Sequence, residues 1–254
     1  MKQITEKRIW ITGGGSGIGA ALALELAAMG NQVVISGRNA DRLLAVAKRS
    51  ATPISILALD VTDHTAIDTV RERLKQALGQ LDIVIVCAGH CEYVDNAQLD
   101  VVLFRRVFDV NVFGAVNTVQ TALPLLEEVR SEDASLKSKQ ESCIYLIGSL
   151  SQVVGLPRAE AYGASKAALD YFGRSLKVDL AKRNIGVSII HPGFVKTPMT
   201  DKNDFSMPFL MSVEQASTRI VNAMVKKRSS YSFPKRLYFP LWLGSKWPFF
   251  WSRF

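Results

Sequence analysis

Tyr162 and Lys166 stand four residues apart in Ala161-Tyr162-Gly163-Ala164-Ser165-Lys166, a run that predicts helix. That spacing puts both side chains on one helical face, one turn apart. A phenol of pKa about 10 is a poor acid or base at neutral pH, and a nearby ammonium lowers it by roughly 1–3 units. The pair therefore suits general acid–base work. Alone it is weak evidence, because Tyr and Lys share helix faces by chance. Ser149, thirteen residues before Tyr162, adds a hydroxyl at the end of a predicted strand, where it can meet a substrate carbonyl.

A second set of residues suits a nucleotide. Thr12-Gly13-Gly14-Gly15-Ser16-Gly17-Ile18-Gly19 follows the first predicted strand and opens an Ala/Leu-rich helix. Glycines there let the backbone turn tightly and approach a pyrophosphate lying against the helix N-terminus. The spacing differs from the literal G-x-G-x-x-G, so a tight strand-to-helix connection is the competing reading. The second strand tip discriminates between cofactors. An NAD site offers an acid there to the ribose 2′-hydroxyl. This chain has Val33-Val34-Ile35-Ser36-Gly37-Arg38-Asn39, with no acid and an arginine. A guanidinium pairs with a 2′-phosphate through charge-assisted hydrogen bonds. NADP(H) is thus expected over NAD(H), against the alternative of a surface arginine opening the next helix.

Short β-branched runs alternating with helical patterns must position these groups. Strands are predicted at 8–12, 32–36, 54–59, 82–87, 142–148 and 186–190, with 230–233 as a further strand. Helices are predicted near 17–29, 40–49, 65–78, 100–129 and 160–183, the fourth kinked at Pro124. Near-continuous apolar strands between helices indicate an α/β fold: a Rossmann-like, doubly wound parallel sheet of about seven strands with helices on both faces. The polar, mixed-charge stretch Ser131–Glu141 reads as a solvated loop.

Composition narrows the class. The chain has 254 residues, 48% hydrophobic and 21% charged, enough apolar material for a sizeable core. Its net charge of +8 comes from eight basic residues after Glu214, the last acid, so the body is balanced and nucleic acid is not an expected partner. Cys87, Cys91 and Cys143 lack zinc-ligand spacing and read as reduced thiols, with no metal site expected. A polar N-terminus without a secretory core, and no apolar run of about 18–20 residues, point to a cytoplasmic protein.

Taken together, these motifs resemble the short-chain dehydrogenase/reductase family up to about Glu214. The resemblance rests on Thr12-Gly13-x-x-x-Gly17-x-Gly19, Asp60-Val61, Cys87-Ala88-Gly89, Asn111, Ser149, Tyr162-x-x-x-Lys166 and Pro192-Gly193, in that order. It implies a catalytic set of Asn111, Ser149, Tyr162 and Lys166, with the Asn111 backbone holding a water that links Lys166 to solvent. It implies that Gly13, Gly15, Ser16, Gly17, Ile18 and Gly19 hold the pyrophosphate. Asp60 would hold the adenine amine with Val61 packed beside it, and Ala88-Gly89 would let the cofactor approach. Lys166 would hold the ribose hydroxyls and depress the Tyr162 pKa, while Pro192, Gly193 and Thr197 would contact the nicotinamide end. The family's Asn-Ala-Gly is Cys87-Ala88-Gly89 here, which loosens a brace without removing a catalytic atom. A homodimer or homotetramer through the helices after the fourth and fifth strands is also implied.

By the same resemblance, residues 194–212 form a substrate lid within a catalytic domain of residues 1–234. Its Met199, Phe205, Met207, Phe209, Leu210 and Met211 suit a medium-sized lipophilic carbonyl compound or alcohol, or else simply pack the lid onto the core. The remaining tail, 235–254, interleaves Trp and Phe with Lys and Arg, as at a membrane interface. Pro240 and Pro248 argue there for short broken pieces; a subunit interface or a cover for the substrate mouth are the alternatives. A non-catalytic redox-sensing regulator on the same fold is disfavoured by the Tyr–Lys pair. A sugar-nucleotide epimerase generally needs a longer chain.

Overall fold

Val33-Val34-Ile35, Ile83-Val84-Ile85-Val86 and Ile9-Trp10-Ile11 are buried along their whole length, as strands covered on both faces must be. In a computed structural model, described over residues 4–95, 98–127 and 142–247, they belong to one seven-stranded parallel sheet. Its strands are β1 (Arg8–Thr12), β2 (Gln32–Gly37), β3 (Ile54–Ala58), β4 (Ile83–Val86), β5 (Ser142–Ile147), β6 (Ile185–Pro192) and β7 (Ser230–Phe233). They lie in the order β3-β2-β1-β4-β5-β6-β7. The chain winds outward from β1 to β3, then returns so that β4 pairs with β1. That reversal opens a crevice at the strand C-terminal ends, where ligands bind in such sheets.

The helices are α1 (Gly17–Ala28), α2 (Ala40–Lys48), α3 (Ile67–Leu78), α4 (Val101–Phe108), α5 (Gly114–Glu127), α6 (Glu160–Ala181), α7 (Val213–Val225) and α8 (Lys235–Lys246). Successive strand residues point to opposite faces, so two cores form. Ile9, Ile11, Val33 and Ile35 pack with Leu22, Leu26, Leu43 and Ile220 of α1, α2 and α7. Trp10, Val34, Val84 and Val86 pack with Leu74, Leu125 and Leu169 of α3, α5 and α6. Trp10 is wholly buried, and its indole donates to Ser36 Oγ at 2.8 Å, so its one polar atom is satisfied.

Predicted strand ends shift by one or two residues, but the fourth predicted helix differs in kind. Its break is a π-helical turn, Asp109–Phe113, and Pro124 lies inside α5. The wider turn carries Asn111 inward, where it is buried; such bulges recur at functional sites. At its end Gly114 permits close packing, since a Cβ there would lie 2.6 Å from Val61 Cγ2. Residues 128 and 129, and the predicted loop Ser131–Glu141, fall outside the described residues. The tail differs too. Pro240 sits within α8, which runs unbroken from Lys235 to Lys246, while Pro248 is outside the described residues. No described helix is long and apolar enough to cross a membrane.

Candidate active site

The glycine turn, the tip of β2 and the ends of β3 and β4 enclose a groove of about 200 Å³, lined by Gly13, Gly15, Ser16, Arg38, Asp60, Ala88 and Gly89 among others. At Gly13 and Gly19 the turn has no room for a side chain. Gly13 has φ +72, and a Cβ there would lie 2.7 Å from the Ala88 backbone nitrogen; a Cβ on Gly19 would collide with the Gly13 carbonyl oxygen. Ser16 is the N-cap of α1 but makes no side-chain capping bond, and the first turn holds no acid. Its amides thus keep their capacity for an anion. Ile18, in that first turn, packs against the core. Thr197, after β6, closes the turn from the other side: a Cβ on Gly17 would stand 3.0 Å from Thr197 Cγ2.

Arg38 opens the far end of this groove, and Arg42 joins it. Asn39 caps α2 by accepting from the Arg42 amide at 2.9 Å, so the cap that starts the helix also sets the second arginine. Sequence reasoning missed Arg42, although its spacing of four from Arg38 is a readable signal. Asp60 accepts from the Thr62 amide and hydroxyl at 3.0 and 2.9 Å, which fixes its carboxylate at the groove wall. Val61 is buried beside it, and its carbonyl accepts from Asn117 at 2.9 Å.

Where the groove ends, Asn111, Lys166 and Tyr162 begin. A Cβ on Gly89 would lie 3.5 Å from Asn111 Oδ1 and 3.6 Å from Lys166 Nζ, so three separate segments converge here. Asn111 Oδ1 accepts from the His90 amide at 2.7 Å, and its Nδ2 donates to the His90 carbonyl and Ser165 Oγ at 2.8 and 2.9 Å. The asparagine therefore ties the loop after β4 to α6 through its side chain. Lys166 is buried and donates to the Ile147 carbonyl at 3.0 Å. Loss of water pulls its ammonium down to about 8.

Tyr162 is in the opposite position to the one expected. Burial pushes its phenol well above the ordinary range, with Cys91 adding to the rise and a hydrogen bond with Ser149 opposing it. The Lys166 ammonium lies over the ring, 5.7 Å from its centroid, and its hydrogen bond goes to Ile147. Desolvation is the largest influence on the phenol. Ser149 also caps a short 3-10 turn, accepting from the Ser151 amide at 3.1 Å. At Cys87, where the resemblance suggested a loosened brace, Thr12 Oγ1 accepts from the Cys87 and Ala88 amides at 3.3 and 3.5 Å. Burial pushes the Cys87 thiol up to about 11.

Ser149 and Tyr162 form one wall of a second, larger cavity of about 430 Å³. Leu150, Leu156, Phe194, Met199 and Phe205 make it mostly apolar, and Leu237 and Leu241 of α8 complete it. The tail reaches the site through Gly193, whose amide donates to the Phe233 carbonyl at 2.7 Å and whose Cβ, if present, would lie 2.9 Å from Leu237 Cδ2. Pro192 ends β6 just before it. Three polar atoms of the wall, Ser151 Oγ, Arg158 Nε and Asn203 Oδ1, are buried without a hydrogen-bond partner.

Arg158 is the other residue that sequence did not reveal. It adopts φ +63, uncommon for a side-chain-bearing residue. From there it reaches Asp95 at 2.6 Å and Asp204 at 2.8 Å, with its guanidinium 5.5 Å from the Tyr93 ring centroid. Tyr93 in turn meets the Phe205 edge at 5.6 Å. Arg158 thus joins the loop after β4 to the segment carrying Asp204. That loop is anchored at its start by Glu92, held down to about 2 mainly by Arg106, with His90 adding.

The fold and this geometry are those of a nicotinamide-dependent oxidoreductase family. Residues 7–206 match the short chain dehydrogenase family, and the chain belongs to it. Full-length relatives carry the same general description. An uncharacterized oxidoreductase of Myxococcus xanthus is 33% identical over 243 residues, covering 94% of this chain and 92% of that protein. One of Staphylococcus epidermidis is 31% identical over 226 residues, covering 89% and 94%. One of Mycobacterium tuberculosis is 28% identical over 245 residues, covering 94% and 90%. Membership implies a nicotinamide cofactor and a small-molecule substrate.

Proposed function

We propose that the protein exchanges a hydride between NADP(H) and a medium-sized lipophilic carbonyl compound or alcohol, with Tyr162 moving the proton. The observation that carries this reading is the meeting of Ser149, Tyr162 and Lys166 at the junction of a glycine-floored groove and an apolar cavity. The groove fits a dinucleotide. The α1 amides and the glycine turn would hold the pyrophosphate, Asp60 and Val61 the adenine, and Arg38 with Arg42 a 2′-phosphate. Lys166 would hold the ribose, with Ala88, Gly89, Pro192, Gly193 and Thr197 around the nicotinamide end. The cofactor, when bound, supplies or accepts the hydride.

The chain's own groups handle the oxygen. In reduction, the Ser149 hydroxyl and the Tyr162 phenol donate to the substrate carbonyl oxygen and favour the charge that develops there. Burial keeps the phenol protonated, the state needed for donation to the forming alkoxide. In oxidation the same atoms run in reverse. Asn111 acts through others, holding the loop after β4 against α6. A homodimer or homotetramer through α4, α5 and α6 would cover Val101, Val102, Phe113, Tyr171 and Val178, all exposed in the single chain.

A panel of ketones, aldehydes and alcohols assayed with NADPH and NADH tests the reading. Turnover of lipophilic members with NADPH, abolished in Tyr162→Phe, is the expected result. Undiminished turnover by Tyr162→Phe overturns the assignment, preference for NADH overturns the arginine argument, and no turnover with any compound favours a redox-sensing regulator.

A further inference from the structure

The C-terminal helix turns two different faces to its surroundings. Leu241 is buried and Leu237, Tyr238, Gly244 and Ser245 are half-buried; Leu237 and Leu241 are the pair that lines the catalytic cavity. Lys235, Phe239, Trp242 and Lys246 recur at i, i+4, i+7 and i+11, share the opposite face, and are all exposed. Phe239 is 59% exposed and Trp247, just past the helix, 55%. The Phe239 and Trp242 rings lie 5.9 Å apart, and Lys246 Nζ stands 5.8 Å from the Trp242 ring centroid. Across the cavity the lid behaves alike. Met199 and Phe205 line the cavity yet remain exposed, and Phe209 and Leu210 also face solvent.

We propose that α8 and the lid dock on an anionic lipid bilayer, and that the substrate is a membrane-dissolved lipid bearing a carbonyl or hydroxyl group. It enters the cavity between the lid and α8 without passing through water. The docking half stands on the surface alone; the substrate half rests on the oxidoreductase reading above. An aromatic pair bracketed by lysines is the pattern of an interfacial helix, whose rings enter the headgroup boundary while ammonium groups reach back to phosphate. Lys235, Arg236 and Lys246 have no acid among them, and none follows Glu214. A second copy of the chain fits this face poorly. The stripe reads the same in both directions, so two-fold pairing of α8 sets lysine against lysine, and lysine is depleted from protein interfaces.

Full-length protein is sedimented with vesicles of phosphatidylcholine alone, or of phosphatidylcholine mixed with phosphatidylglycerol. Partitioning onto the mixed vesicles is expected to be on the order of a hundredfold stronger, from three basic residues at the surface, and to fall as salt is raised. Phe239→Ser with Trp242→Ser should abolish binding to both vesicles while leaving the rate on a water-soluble carbonyl unchanged. Lys235→Glu with Lys246→Glu should remove only the preference for anionic lipid. A long-chain ketone dissolved in the vesicles should be reduced faster on anionic vesicles by wild type, an advantage both double variants lose. Failure of wild type to bind either vesicle, or undiminished binding by the Ser variant, overturns the proposal. So does a dimer in solution that the Ser substitutions dissociate. Vesicle binding without turnover of any carbonyl, in water or lipid, keeps the docking and removes the substrate claim.

Discussion

The groove at the strand tips and the larger cavity beside it are built in different ways. The groove is lined by glycines, Ser16, Asp60 and two arginines along with a few small apolar groups, drawn from strand tips that lie side by side in the sheet. Its floor is defined by what cannot be there, since a methyl group on Gly13 or Gly19 meets main-chain atoms. The cavity is mostly side chains, from the loop after β4, the segments 149–159 and 194–208, and α8. Recognition of phosphates by amides demands a particular chain path, whereas an apolar cavity demands only bulk and shape. Changes in the groove should therefore act on cofactor choice and affinity, and changes in the cavity wall on substrate range.

The largest effect should come at the seam between the halves. Tyr162→Phe should lower kcat by roughly 10²–10⁴-fold, the usual worth of a positioned acid or base, while NADPH binding followed by nicotinamide fluorescence stays near wild type. A proportionate loss of NADPH binding would show that the phenol belongs to the groove and break the division. Within the groove, Arg38→Ala combined with Arg42→Ala should weaken NADPH by about 10–100-fold, from charge-assisted hydrogen bonds of roughly 1.5–3 kcal/mol. NADH affinity should be unchanged; equal losses for both would move the arginines away from the 2′-phosphate.

Lys166 gives a pH signature that sharpens the seam further. Its ammonium, lowered by burial to about 8, is charged below that pH and neutral above it. The value of kcat/KM, which reports the free enzyme, should fall as pH rises through about 8. Lys166→Arg, whose guanidinium stays charged beyond pH 12, should lose that limb whatever activity it retains. The smallest effect is expected at the cavity edge. Asp204→Asn releases one arm of Arg158 and should raise substrate KM a few-fold with kcat and NADPH affinity unchanged, as exposed ion pairs contribute about 0.2–1 kcal/mol. A change in NADPH affinity instead would couple the lid to the groove.

This contrast also explains what could be read in advance. Gly13–Gly19, Arg38, Asp60 and the Tyr162–Lys166 pair are local patterns, each meaningful within a few residues of chain. Arg42, four residues after Arg38, is legible in the same way. Arg158 was not: its partners Asp95 and Asp204 lie 63 and 46 residues away. Pro240 misled because propensity disfavours proline inside a helix; yet the helix continues across it, with Leu237 and Leu241 one turn apart on the cavity wall.

The sequence by itself determined the doubly wound sheet, the glycine turn, Arg38 and Asp60 at the strand ends, and the Tyr162–Lys166 pair, because strand periodicity and tight glycine turns are short-range properties of the chain. Tertiary structure decided the direction in which the Tyr162 phenol moves, upward with burial, since desolvation depends on everything packed around the ring. It also decided that α8 lines a cavity with Leu237 and Leu241 and turns an aromatic, lysine-flanked face outward, since only folding brings β6, β7 and α8 together there.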